Sequence, residues 1–124
     1  KKFVFPIEEA GETKEFDIAG KGMNIVVDSG TPIKASRSGW VTKVVENTID
    51  SPGRIEIFHP YSNTLFFRTK TGISTVYENV TDIQVVEKQR VRQGQLLAIV
   101  SQGYDEQHNK IPSLLYFEII IKKK

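Results

Sequence analysis

The sequence predicts an all-β protein, a compact antiparallel β-sandwich or barrel. Three observations lead there. Apolar and β-branched residues come in short runs with period-two alternation, as in residues 54–59, RIEIFH. Clusters of Gly, Pro, Ser and Asn punctuate those runs at close intervals. No stretch sustains the 3.6-residue periodicity of an amphipathic helix.

Taken in order, residues 3–7, FVFPI, form a short apolar strand whose Pro6 marks an edge or strand end. Residues 8–14, EEAGETK, are polar and rich in turn formers, and are expected as a connection. Residues 16–19 lead into the stretch around which the chain is organised, residues 20–45. There, residues 23–27 make a strand and Ser29-Gly30-Thr31-Pro32 a turn, since Gly supplies a permissive backbone and Pro fixes φ. Residues 33–36 are a brief strand, Ser38-Gly39 a second turn, and residues 40–45 a longer strand. Ser51-Pro52-Gly53 is a strong turn signal before the alternating run at 54–59, which puts Ile55, Ile57 and His59 on one face. A strand at 64–68 and a partner at 73–77 flank a hairpin turn at 70–72. Short strands at 83–86 and within 90–100, a polar loop at 103–112, and a last strand at 114–121 complete the chain.

Composition narrows the function. At 124 residues the length suits one domain, able to bury roughly two thirds of its unfolded surface. The absence of Cys excludes disulfides and thiolate metal sites. The net charge is +2, and Lys122-Lys123-Lys124 contribute to that excess. No apolar run approaches the roughly 18 residues of a membrane span, and no signal-peptide pattern is visible. The opening at Lys1-Lys2-Phe3 suggests a domain excised from a longer protein.

The GTPI-K-A corner at 30–35, followed by the Gly39-Trp40-Val41 strand start, resembles the G-x-D-I-x-x-x-x-G-T-P-V-x-A-x-x-x-G-x-V segment of the lysostaphin/LytM-type zinc endopeptidases, which cut peptidoglycan cross-bridges. Further segments follow in the family's order. Residues 63–80 are similar to N-x-V-x-I-x-x-x-x-G-x-x-T-x-Y-x-H-L, residues 91–100 to V-x-x-G-Q-x-I-G-x-V, and residues 114–119 to the strand carrying His-x-His-Phe-Glu. Lys88 stands where a Gly is common, and residues 48–62 read as an inserted or lengthened hairpin. The resemblance spans about residues 3–121 and implies one LytM-like domain over residues 1–124 with the duplicated hybrid motif fold, a barrel-sandwich hybrid with a groove across one sheet.

A hydrolytic zinc site needs about three N or O ligands and an open position for water. In the resembled family these are a His and an Asp from the first segment and the second His of His-x-His, assisted by two further His. Here the corresponding positions hold Gly20 (or Lys21 one register away), Asn24, Asn79, Leu114 and Tyr116. Strand alternation puts Leu114 and Tyr116 on the groove face and Leu115, Phe117 and Ile119 in the core, with Ile25, Val27, Val41, Leu65 and Phe67. Hydrocarbon, amide and neutral phenol groups are poor zinc donors. No other site replaces the missing one. His59 reads as structural or surface, His108 as a solvated loop residue, and Asp28 and Glu118 lack partners at useful spacing. No Ser has a His-Asp context, and no phosphate loop is present.

The expectation is therefore a catalytically inactive LytM-like domain without cofactor or catalytic residues. It would bind a protein or peptide partner in the bacterial envelope (a cell-wall hydrolase, for example) or peptidoglycan, in cell-wall remodelling, division or envelope-complex assembly. Gly20, Asn24, Asn79, Leu114 and Tyr116 are its candidate groove residues. The family resemblance implies an extracytoplasmic location. The alternatives are a zinc-dependent peptidoglycan endopeptidase with an unorthodox site or one completed by residues outside the chain, and a phosphocarrier-like or biotinyl-like barrel. The latter lacks a Met-Lys-Met hairpin and a suitably placed His. Nucleic acid is not an expected partner, although Lys88, Arg90 and Arg92 cluster, because acidic residues intersperse the strands and the aromatics alternate as core residues do.

Overall fold

A computed structural model describes residues 3–9, 12–16, 22–60 and 72–122. Twelve strands carry the described chain: β1 (Phe3–Glu9), β2 (Glu12–Phe16), β3 (Met23–Val27), β4 (Pro32–Lys34), β5 (Gly39–Val45), β6 (Gly53–Pro60), β7 (Gly72–Thr81), β8 (Arg90–Val91), β9 (Leu96–Val100), β10 (Gly103–Tyr104), β11 (Lys110–Ile111) and β12 (Ser113–Lys122). Every strand pairing is antiparallel, and no helix occurs among the described residues. The main sheet runs β3-β12-β7-β6-β5-β8, with β9 joining it through β7 and carrying β4. The all-β antiparallel fold expected from the sequence is the fold of the protein.

Period-two alternation dictates the layering. Buried and half-buried residues alternate along the whole of β6, so Ile55, Ile57 and His59 face inward and Arg54, Glu56 and Phe58 face the opposite side. On β12, Leu115, Phe117 and Ile119 are buried while Leu114, Tyr116 and Glu118 are half-buried. The inward faces meet Ile33, Ala35, Val41, Val80, Val91 and Leu97 in one core. Tyr77 packs its ring on Phe117 there, with centroids 5.3 Å apart. Of the expected core, Ile25 and Val27 pack against its margin, and Leu65 and Phe67 lie outside the described residues.

Several local expectations change. Residues 8–14 are not a simple connection: β1 and β2 pair as a hairpin, with Glu8 opposite Thr13. A ladder is made by backbone groups, so polar side chains on a two-stranded ribbon do not prevent it. Within the expected hairpin at 48–62, residues 53–60 form β6, which pairs antiparallel with β5 and lies inside the sheet between β5 and β7; residues 61 and 62 lie outside the described residues. Residues 83–86 form no strand. Gln84 N–H donates to Leu97 O at 2.8 Å, and no ladder follows. The polar loop at 103–112 contains the small β10–β11 hairpin. The expected strand at 64–68 lies outside the described residues.

Candidate functional site

Three strands, β3, β7 and β12, carry the described candidate residues. Tyr116 on β12 stands opposite Asn24 on β3 and Glu78 on β7, and Glu78 stands opposite Arg54 on β6. One row thus crosses the sheet as Asn24, Tyr116, Glu78 and Arg54. Leu114 lies one row away, opposite Val26. Asn79 reaches the site by another device. Arg54 pairs with Glu78 and Gly53 with Val80, so Asn79 is the extra residue of a β-bulge, with φ of 72°. A bulge re-aims a side chain, and Asn tolerates the left-handed conformation better than most residues. Its carbonyl accepts the Ser101 N–H at 2.9 Å, which fixes the bulge against the segment after β9.

Asn79 and Leu114 line a groove of about 840 Å³ together with the loop at 47–52 and the segment at 101–112. Its apolar and aromatic members include Ile49, Tyr104 and Ile111, which are exposed, and its polar members include Asn47 and Gln102. His108 also borders it, as an exposed loop residue. The structure therefore brings Asn24 to Tyr116 and Asn79 to Leu114, in two adjacent patches. Gly20 lies outside the described residues.

Sequence reasoning missed an ion-pair array on the same face. Arg54 Nε bonds Glu56 Oε2 at 2.8 Å, and its NH1 bonds Glu78 Oε1 at 3.2 Å. Burial alone would lower the Arg54 pKa, but the Glu56 hydrogen bond and the charges of Glu56, Glu78 and Glu118 outweigh it, so the pKa is raised. Glu118, which has no partner at useful spacing in the sequence, accepts the Tyr116 hydroxyl at 2.8 Å. That hydrogen bond, then desolvation and the Glu118 charge, raise the Tyr116 pKa above the ordinary tyrosine value. The signal was present in the alternation: Arg54 and Glu56 are the outward residues of the RIEIFH run. Gly22 completes the arrangement, since a Cβ there would overlap the Tyr116 ring and hydroxyl.

These donors do not suit zinc. The Tyr116 phenol is held protonated and donates to Glu118, Asn24 and Asn79 offer neutral amides, and Leu114 offers none. The Arg54 guanidinium adds a fixed positive charge to the face. Among the described residues no three His, Cys, Asp or Glu side chains converge to hold a metal ion. The arrangement can instead accept and donate hydrogen bonds beside a groove of mixed polar and apolar lining.

A sandwich of short antiparallel strands with a groove across one face is the architecture of the zinc endopeptidases that the sequence resembles. The family model for Peptidase family M23 matches residues 19–124, and the chain belongs to that family. The family is generally enzymatic, and its members are generally extracellular or envelope-associated. Among solved structures, the catalytic domain of the antimicrobial peptidase lysostaphin from Staphylococcus simulans is 16% identical with a TM-score of 0.61, covering 100% of this chain and 82% of that one. A zinc-containing peptidase from Vibrio cholerae is 20% identical with a TM-score of 0.59, covering 96% and 32% respectively. The SpoIIQ–SpoIIIAH pore-forming complex contains a chain 18% identical with a TM-score of 0.50, covering 98% and 77%. At these identities the likeness concerns the fold. The chain spans about a third of the length of the Vibrio cholerae peptidase. No curated protein matches it in sequence.

Proposed function

We infer that residues 1–124 are one catalytically inactive M23-type domain that binds a protein or peptide in the bacterial cell envelope and acts there as a regulatory module. The observation that carries this reading is the chemistry at the candidate positions. Asn24, Asn79, Leu114 and Tyr116 replace metal-binding groups with amides, a hydrocarbon and a protonated phenol hydrogen-bonded to Glu118. An apolar and aromatic surface rimmed by hydrogen-bonding groups is how recognition sites are commonly built. The SpoIIQ–SpoIIIAH complex supports an assembly role, since a similar fold serves there within a complex. Peptidoglycan is the other ligand class consistent with the family.

Two measurements test the reading together. After exposure to zinc and dialysis, the protein is expected to retain no stoichiometric metal and to release no peptides from purified sacculi. About one zinc per chain with chelator-sensitive cleavage would instead establish a peptidase. Tyr116→Ala combined with Leu114→Ser is expected to weaken capture of the envelope partner, or co-sedimentation with sacculi, about tenfold or more. Because both side chains are only half-buried, the melting temperature should change little. Equal capture by wild type and variant would remove the groove face as the binding surface.

A further inference from the structure

We propose that Lys88, Arg90, Arg92 and Trp40 form a second binding surface, for a linear polyol-phosphate chain and not for a nucleic acid. It lies at the β5–β8 edge and shares no residue with the groove lined by Asn79 and Leu114. Alternation orients its cations: Lys88, Arg90 and Arg92 are exposed, Gln89 is half-buried and Val91 buried. The Arg90 guanidinium lies 5.6 Å from the centroid of Trp40, a ring left 45% exposed. Among the described residues none of the three cations is ion-paired. Glu87, the one acid in residues 86–95, turns toward β5, where its carboxylate accepts the Val44 N–H.

The surface is also built in advance. Arg90, Arg92 and Gln95 line a hollow of about 460 Å³. The Arg92 N–H donates to Gln95 Oε1 at 3.0 Å, which holds the Gln95 side chain against the turn. The side chains around the hollow are two guanidinium groups, which only donate, and one amide. With donors in excess, the hollow suits the acceptor oxygens of an oxyanion chain. The turn is pinned to the β4–β5 connection, because Gly94 N–H donates to Ala35 O, Gln93 N–H to Ser38 Oγ, and Gln93 Nε2 to Ser36 O. A platform so fixed loses little freedom on binding.

Lys88 supplies an independent observation. Its φ is 76°, in the left-handed region that favours glycine, and its N–H donates to Val41 O at 2.7 Å. Asn79, Asp82 and His108 are the other described non-glycine residues with positive φ, and their residue types are those enriched there. A lysine carries strain at this position with no such compensation, and what it contributes is a third exposed cation two residues before Arg90.

Trp40 is the sole tryptophan of the chain, so its fluorescence reports on this surface directly. Titration with a synthetic glycerol-phosphate oligomer, checked by calorimetry, is expected to give saturable binding that weakens about tenfold or more between 50 and 200 mM salt. Arg90→Gln with Arg92→Gln should weaken binding more than tenfold. Lys88→Gly should weaken it several-fold while leaving the melting temperature unchanged or higher, which separates recognition from structure. Absence of binding by both methods would overturn the proposal, as would equal affinity in the double variant. Binding to inorganic phosphate with no gain for the oligomer, equal binding of poly-glutamate, or binding only to phosphatidylglycerol vesicles would each overturn it too.

Discussion

His59 shows how much chemistry one residue can organise away from the groove. It is 1% exposed, with Nδ1 2.7 Å from Ser38 O and Nε2 2.8 Å from Thr75 Oγ1. A carbonyl only accepts, so Nδ1 carries the proton and Nε2 of the neutral ring accepts from the Thr75 hydroxyl. The Thr75 and Tyr77 hydroxyls are 2.9 Å apart, and Ser36 N–H donates to the Tyr77 oxygen at 3.0 Å. With the Thr75 proton committed to His59, Tyr77 donates to Thr75, and the chain runs one way from Ser36 to His59. Desolvation by burial lowers the His59 pKa to about 4; the Ser38 bond opposes this and the Arg37 charge assists it. Because the folded pKa lies below the unfolded value, the unfolded state takes up the proton first as pH falls. This group's stabilisation is complete above about pH 6.5 and is lost progressively down to about pH 4, a loss of roughly 3 kcal/mol. Urea denaturation from pH 7.5 to 4 should show that loss, and His59→Gln should flatten the slope in that window. An unchanged slope in the variant would assign the pH dependence to other groups. The inward direction of His59 was legible from its spacing with Ile55 and Ile57. Its partners were not, since Ser38 and Thr75 are 21 and 16 residues away and meet it only through strand pairing.

At the scale of elements, the junction of β5, β6 and β8 has little room. Gly39 opens β5 opposite Val91, and a Cβ there would press on the Phe58 carbonyl and come within 2.7 Å of His59 Nδ1. Neither neighbour can yield cheaply, because one is ladder backbone and the other is held at both ring nitrogens. Gly39→Ala is therefore expected to destabilise the protein by about 3 kcal/mol, at the upper end of ordinary overpacking, measurable by equilibrium denaturation. Gly30, with φ of 84° and nothing near its Cβ position, should resist substitution for conformational reasons only. The turn at 29–32 and strands β3, β5 and β6 were legible because local turn chemistry and alternation fix them. The β1–β2 hairpin and the central place of β6 were not, because polar side chains conceal backbone pairing and sheet order is a long-range property.

For the molecule as a whole, stability should rest on the apolar core and not on a metal. Ile33, Ile55, Ile57, Leu97, Leu115 and Phe117 are each at most 1% exposed and meet from both layers of the fold. Burying side chains of this size contributes about 1.5–3 kcal/mol each, against the ordering of the chain. Metal-dependent domains unfold on chelation because their binding energy is folding energy. Thermal melts with and without EDTA are expected to coincide here; a fall of ten degrees or so would reveal a structural metal.

The sequence by itself determined the all-β class, most strand positions, the core face of β12 and the family, because these depend on local alternation, turn residues and motif order. It also identified Asn24, Asn79, Leu114 and Tyr116 as the residues on which the groove question turns. Tertiary structure alone decided which of them meet: Asn24 beside Tyr116 through β3–β12 register, and Asn79 beside Leu114 through a bulge. It also decided that Tyr116 is held by Glu118, that Arg54 joins Glu56 to Glu78, that Arg90 lies over Trp40, and that Lys88 stands in a glycine-like conformation. The physical reason is range. Period and turn chemistry act over a few residues, whereas register, bulges and ion pairs join strands tens of residues apart, whose relative placement is fixed only when the core closes.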